Sequence, residues 1–315
     1  MSLTFFTVPK IADGNDAGAG NVPHQVSLYS YSEGHFCGGS IIHPFLILSA
    51  AHCFGRDAHR PPNIIVRAGF NRRQWMDHNS TEQTRNVTHV FVHKAYSSTT
   101  FNNDIAVLVL NQSLDFNEYV RPIRLGSPGW ELPGASFVKK HSSTTCQSVK
   151  PYELLLIPTE HANVTGWGRV WARTARGLRD MGPAYTLQVA RVPLVSRENC
   201  TKRLSALKYA ITESMICAGG NGSDACEGDA GGPLTCVRNG TLGEEEPYLC
   251  GIVSWGITCA RYARTPRGDY PGVYADPTKY MGWIRKFTRK WWTHYLSINT
   301  FLHISRTGQR HNVHT

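Results

Sequence analysis

The recurrence of short apolar runs, broken by turn residues, constrains this chain more than any other feature. Val26–Ser30, Phe36–Ser49, Asn63–Phe70, Thr88–Lys94 and Ile105–Leu110 each read as strand, and Leu187–Val195 repeats the pattern. Runs this short, with frequent glycine and proline around them, predict an all-β architecture rather than alternating strands and helices. Two helical segments are expected. One is short, over Ser196–Lys208. The other opens at Asp276-Pro277-Thr278, with proline in the first turn and Tyr280, Trp283, Ile284 and Phe287 at helical spacing. At 315 residues the chain can hold one large domain or two smaller ones. No run of about 18 apolar residues exists, so no membrane-spanning helix is predicted.

Nine cysteines in one globular chain point to an oxidising compartment and to disulfides. Sequons for N-glycosylation begin at Asn79, Asn86, Asn111, Asn163, Asn199, Asn221 and Asn239, in keeping with a secretory route. Met1–Lys10 has a short apolar run but no basic head, so it does not read as a signal peptide. Secretion is nevertheless the expectation. The net charge of +10 is unevenly placed: no acidic residue follows Asp276, whereas Lys279, Arg285, Lys286, Arg289, Lys290, Arg306 and Arg310 do. A basic end of this kind could meet anionic surfaces or glycans. The plainer reading is a solvated helix face followed by a disordered basic, aromatic tail over 288–315; a membrane-surface helix is the other reading of that tail. His303, His311 and His314 are too loosely spaced to argue a metal site. No motif supports nucleic-acid binding.

Chemistry concentrates in Asp224-Ala225-Cys226-Glu227-Gly228-Asp229-Ala230-Gly231-Gly232-Pro233-Leu234. This stretch resembles the nucleophile loop of chymotrypsin-family serine proteases, Gly-Asp-Ser-Gly-Gly-Pro, with Ala230 where the family keeps serine. Leu48-Ser49-Ala50-Ala51-His52-Cys53, preceded by Cys37-Gly38-Gly39-Ser40, resembles the family's histidine segment, and Asn103-Asp104-Ile105-Ala106-Val107-Leu108 its aspartate segment. The chain order of His52, Asp104 and position 230 is the chymotrypsin order, distinct from those of subtilisin and the α/β-hydrolases. In the triad that this family exemplifies, His52 would be the general base and Asp104 would accept its Nδ1–H, fixing the tautomer. Lys10-Ile11-Ala12-Asp13-Gly14 resembles the family's activation site. The resemblance implies that cleavage after Lys10 would free an ammonium at Ile11, which would enter the protein and pair with buried Asp229, since an unpaired buried charge is costly.

Further expectations follow from the resemblance. The fold would be two antiparallel six-stranded β-barrels with a C-terminal helix: residues 1–10 an activation-peptide remnant, barrel one at about 11–130, barrel two at about 162–275, and the protease domain ending near 287. About 137–161 is an insertion, which an added loop and translated non-coding sequence would both explain. Disulfides Cys37–Cys53, Cys200–Cys217 and Cys226–Cys259 match family bridges. Cys236 has lost its usual partner at Ala162, and Cys236–Cys250 is a compensating pair that leaves Cys146 odd. Gly168–Thr186 reads as a long, basic, exposed loop. Asp224 would lie at the base of a specificity pocket walled by Ser254, Trp255, Gly256 and Gly272, selecting a cationic Arg or Lys side chain. The amides of Gly228 and Ala230 would form the oxyanion hole.

The resemblance thus implies a trypsin-like endopeptidase scaffold cleaving after Arg or Lys, inactive as written because Ala230 lacks the nucleophile. The alternative is a natural non-catalytic homologue acting as a binding module. The implied partners are polypeptide substrates or inhibitors with Arg or Lys at the cleavage position, and an activating trypsin-like protease; a monomer is expected. No cofactor is indicated. The calcium loop of some relatives would fall near Phe70–Glu82, but Phe70 stands where an acid is wanted.

Overall fold

The computed structural model describes residues 14–55, 60–73, 81–126, 161–174, 177–205, 209–220, 224–239, 245–257 and 270–291. Lys10, Ile11, Cys146, Cys259, the expected insertion up to 160, and the chain after Trp291 therefore lie outside the described residues.

After a short β1 (Asn15–Asp16), six strands close into a barrel: β2 (Gln25–Ser30), β3 (Gly34–His43), β4 (Leu46–Ser49), β5 (Ile64–Ala68), β6 (Gln83–Val92) and β7 (Ala106–Leu110). The neighbour order is β2-β3-β4-β7-β6-β5, and β5 returns to β2. The single run expected over Phe36–Ser49 is two strands, because Pro44 and Phe45 turn the chain between His43 and Leu46. That turn is hard to see in hydropathy, since apart from His43 the residues around it, Ile41, Ile42, Leu46 and Ile47, are apolar. β6 begins five residues before the expected Thr88, in a polar stretch that is strand only because it pairs with β5.

After β8 (Arg124–Leu125), the second barrel uses β9 (His161–Gly166), β12 (Gln188–Val195), β13 (Met215–Ala218), β14 (Pro233–Asn239), β15 (Glu245–Trp255) and β16 (Gly272–Ala275). They run β12-β13-β16-β15-β14-β9, and pairing of β9 with β12 closes the ring. Two strands from the first part of the chain join this sheet: β1 pairs with β12, and β8 lies parallel to β15. The segment expected as a loop over Gly168–Thr186 is mostly a hairpin, β10 (Arg169–Thr174) against β11 (Gly177–Pro183). It pairs with itself, so no apolar alternation was needed to specify it.

Among the described residues two helices complete the fold. α1 spans Arg197–Ser205. A 3-10 turn at Pro277–Tyr280, capped by Asp276 accepting from the Thr278 amide, leads into α2 at 281–291. α2 thus runs past the expected end at 287, and Trp291 stacks on Phe45. The main core fills the first barrel with Val26, Leu28, Ile41, Leu46, Leu48 and Leu108. It extends to Tyr280, Met281 and Ile284, so the last described segment is packed against the first barrel. Each such fully buried aliphatic side chain is worth roughly 1.5–3 kcal/mol.

Disulfides join Cys37 to Cys53, Cys200 to Cys217 and Cys236 to Cys250. Cys226 is also disulfide-bonded. Closing a loop of 16 residues, as Cys37–Cys53 does, is worth about 3 kcal/mol in the chain-entropy account. Cys236–Cys250 spans the β14–β15 hairpin at its bulge, while buried Ala162 on β9 packs in the same cluster as Cys236.

Candidate active site

His52 lies in the 3-10 turn Ala51–Phe54, which the Cys37–Cys53 bridge pins to β3. Its Nδ1 is 2.7 Å from Asp104 Oδ2, and its backbone N–H donates to Asp104 Oδ1 at 2.9 Å. Asp104 is fully buried and receives a third donor from the other barrel, the Ser254 hydroxyl, at 2.5 Å from Oδ2. The sequence places Ser254 in the pocket wall. Its contact with Asp104 is a role that motif reading misses, because the two residues are 150 positions apart.

The segment before Asp104 is also tied across the barrels. Asn102 Oδ1 accepts from the hydroxyls of Thr212 and Ser214, and Asn103 Oδ1 accepts from the Tyr280 hydroxyl. Phe101 and Asn103 both have φ near +55°, and the Phe101 ring lies 5.7 Å from that of His52. Asparagine tolerates this left-handed backbone better than most residues. The doubled asparagine is the one signal in the sequence that could have marked the turn.

His52, Asp224, Ala230, Ser254, Trp255, Gly256 and Gly272 line one cavity of about 210 Å³. The carboxyl of Asp224 is almost wholly buried and accepts the Ala225 amide at 2.8 Å. Burial, with the charge of Asp229 adding to it, pushes Asp224 up to about 8. A methyl at Gly272 would collide with the Asp224 carboxylate, whereas one at Gly256 would come no nearer to it than 3.8 Å. Glycine at 272 therefore makes room for the acid itself, while glycine at 256 keeps the cavity open. The buried Tyr274 hydroxyl, in the same lining, has no hydrogen-bond partner among the described residues.

Position 230 holds a methyl group and no hydroxyl. The loop around it is built for a different kind of contact. Of the consecutive amides from 228 to 232, those of Asp229, Gly231 and Gly232 donate to Cys226, Val253 and Asp229 carbonyls. Those of Gly228 and Ala230 have no acceptor among the described residues. Gly228 has φ +96°, and its carbonyl is held by His35 Nε2 at 2.9 Å. Such paired, unspent N–H groups suit a developing oxyanion.

Asp229 is fully buried, and its two oxygens accept the Gly168 and Cys226 amides at 2.7 and 2.8 Å. A side chain at Gly166 or Gly168 would strike this carboxylate. Burial raises Asp229 to about 6 despite those two bonds.

The described residues at the two ends of the calcium-loop stretch, Phe70 and Glu82, make other contacts. Glu82 is taken up by Arg67, at 2.5 and 3.0 Å, and the Arg67 guanidinium covers the Phe70 ring, which stacks on Trp167. Cys37, His52 and Cys53 cluster closely enough to suggest metal ligands, but both sulfurs are committed to the disulfide. Among the described residues no helix is long and apolar enough to cross a membrane.

A family model described as Trypsin matches residues 11–284. Coagulation factor IX from Oryctolagus cuniculus is 35% identical over 278 residues, covering 87% of this chain and 83% of that protein. The same protein from Cavia porcellus is 32% identical over 278 residues, covering 87% and 80%.

Proposed function

The chain belongs to the trypsin family of serine proteases, and from that premise we propose that its cleft binds peptides through an Arg or Lys side chain and leaves them uncut. The observation that carries this reading is Asp224, a buried carboxyl at the base of an open cavity, among the described residues given only its neighbour's amide. A guanidinium or ammonium entering the cavity would supply the missing partner. The peptide carbonyl would then meet the amides of Gly228 and Ala230, with His52 beside it.

What is lacking is the attacking oxygen. Loss of the nucleophile in a convergent serine protease costs on the order of 10⁶ in rate, about 8 kcal/mol of barrier. Ser254 is no substitute, since its hydroxyl is committed to Asp104. Asp229, cradled by Gly166 and Gly168, would receive the ammonium of Ile11 after cleavage at Lys10, which makes the uncut chain a zymogen form. Secretion and glycosylation fit the disulfides and the exposed sequon residues Asn86, Asn111 and Asn199. Asn163 suits a glycan less well, since it is half-buried in β9 between two partner strands.

A second reading, a homologue long free of catalysis, is favoured by one contact. Asp104 ties His52 to Ser254 across the barrels, so both residues have an architectural reason to persist without turnover. The deciding experiment cleaves the chain after Lys10, then measures benzamidine binding and arginyl-peptide hydrolysis with and without Ala230→Ser. Binding without hydrolysis is expected for the parent. Hydrolysis by the parent, blocked by a serine-directed reagent, would refute the proposed inactivity, and no benzamidine binding would refute the pocket.

A further inference from the structure

The cleft holds more unspent polar groups than a side-chain pocket needs. Asp104 takes the Nδ1 side of the His52 ring, and among the described residues Nε2 has no hydrogen-bond partner. The amides of Gly228 and Ala230 likewise have no acceptor there. His52, Ala230 and Asp224 line one cavity. Two contacts fix Ala230 against the segment that carries His52. Its carbonyl accepts the Gly38 amide at 2.7 Å, and Cys53 Sγ lies 3.9 Å from the same oxygen. Gly38 follows Cys37, so the loop rests on both ends of the Cys37–Cys53 bridge. A side chain at Gly231 would strike the Ser49 hydroxyl, so the loop has no slack towards that segment. The two amides and the imidazole are therefore held in a fixed relation about position 230.

A guest that satisfies all these groups carries a cation for Asp224 and, at its other end, an anion with two oxygens. An internal peptide bond offers one neutral oxygen, which the two amides would take, and leaves Nε2 unmatched. A carboxylate offers two charged oxygens. One would accept from the amides of Gly228 and Ala230. The other would accept from Nε2 of a His52 that has taken up a proton from solvent, and the imidazolium would then lie between two carboxylates. Hydrogen bonds with an ionised partner are roughly twice as strong as neutral ones. In a serine enzyme such amides meet full negative charge only as the transition state forms; a carboxylate carries that charge permanently. A hydroxyl at 230 would crowd the second oxygen, whereas the methyl of Ala230 leaves the space to the guest. A terminal arginine or lysine has both the cation and the carboxylate on one residue.

We propose, resting on Asp224 as the seat of a cationic side chain, that the cleft is a receptor for chain ends: peptides whose last residue is arginine or lysine with a free carboxylate. Hydrolysis after Arg or Lys generates such ends, so an active endopeptidase of that specificity must supply the ligand. The reaction that Ala230 denies to this chain thus makes what its cleft holds.

The test uses the full chain cleaved after Lys10 and three titrants in a calorimeter. These are acetyl-Gly-Gly-Arg as the free acid, the same peptide as its C-terminal amide, and acetyl-Gly-Gly-norleucine as the free acid. The arginine acid is expected to bind about tenfold or more tighter than its amide, the gain that hydrogen bonds to a charged group bring. Equal binding, or tighter binding of the amide, would overturn the chain-end proposal and leave the cationic pocket standing, since benzamidine reports on that pocket separately. Failure of benzamidine and of all three peptides would overturn both. The norleucine acid should bind about tenfold or more weakly than the arginine acid; parity would refute joint recognition of cation and carboxylate. His52→Ala should shrink the acid's advantage over the amide to less than about threefold, and an undiminished advantage would refute the imidazolium contact. Ala230→Ser should weaken the acid about threefold or more relative to benzamidine, and an unchanged ratio would refute the part given to the methyl. The comparison of acid with amide on the parent chain needs no variant to fold.

Discussion

Asp104 and Asp224 are both buried carboxyls, one behind His52 and the other lining the same cavity as His52, yet they are held in opposite ways. Asp104 receives the His52 amide, the His52 ring and the Ser254 hydroxyl. Asp224 receives the amide of Ala225, and burial pushes it up to about 8. The first is integrated into the architecture, since removing it would leave donors from both barrels unmatched. The second is maintained against the cost of desolvation, and the contacts around it do little to repay that cost. The difference changes what each residue can testify to. Persistence of His52 and Asp104 is explained by packing alone and says little about turnover. The setting of Asp224 is the one that the proposed cationic guest would complete.

The largest test of this contrast is Ala230→Ser after cleavage at Lys10. If His52 and Asp104 still work as a catalytic pair, arginyl-amide hydrolysis should rise by up to about 10⁶. If they serve only as a brace, a fluorogenic assay will stay at background. Asp224→Asn should cost benzamidine about 2–5 kcal/mol of binding, roughly 30-fold or more, by calorimetry. The same variant should leave thermal stability unchanged or raised, because it removes a buried group without a charged partner. Asp104→Asn should behave in reverse, destabilising by about 2–4 kcal/mol in denaturant unfolding; equal stability in the two variants would abolish the distinction. Ser254→Ala is the milder version, at about 1–2 kcal/mol.

The pH dependence runs to about tenfold in affinity per pH unit, and its sign is defined. Benzamidinium pairs with ionised Asp224, so its affinity should fall about tenfold per pH unit below about 8 and level off above. For folding, a carboxyl whose pKa is raised in the native state binds more protons there than in the unfolded chain. Its stabilising effect is complete below about 4 and is lost as pH climbs towards 8. Melting curves of the parent should decline over that window, and Asp224→Asn should flatten the decline.

Much of the fold could be read from spacing. β2, β5, β7 and β12 were legible as apolar runs bounded by turns. β3 and β4 merged into one, because the turn at Pro44-Phe45 is as apolar as the strands it joins. The β10–β11 hairpin was not legible, since polar residues become strand there only by pairing with each other. At the site, His52, Asp104, Asp224, Asp229 and position 230 were all marked by local motifs. The brace from Ser254 and the anchoring of Asn102 by Thr212 and Ser214 were not. Such bonds join residues more than a hundred positions apart, and nothing local distinguishes them.

The boundary between the two kinds of knowledge falls at position 230. The family, the chain order of His52, Asp104 and position 230, and the methyl side chain of Ala230 are written in the covalent chain, readable wherever it folds. Which amides in the loop are spent and which are left for a guest is another matter. So is whether a buried carboxylate is matched or lonely. These depend on burial and on hydrogen bonds from distant segments, and such partners exist only once both barrels and the last helix have packed.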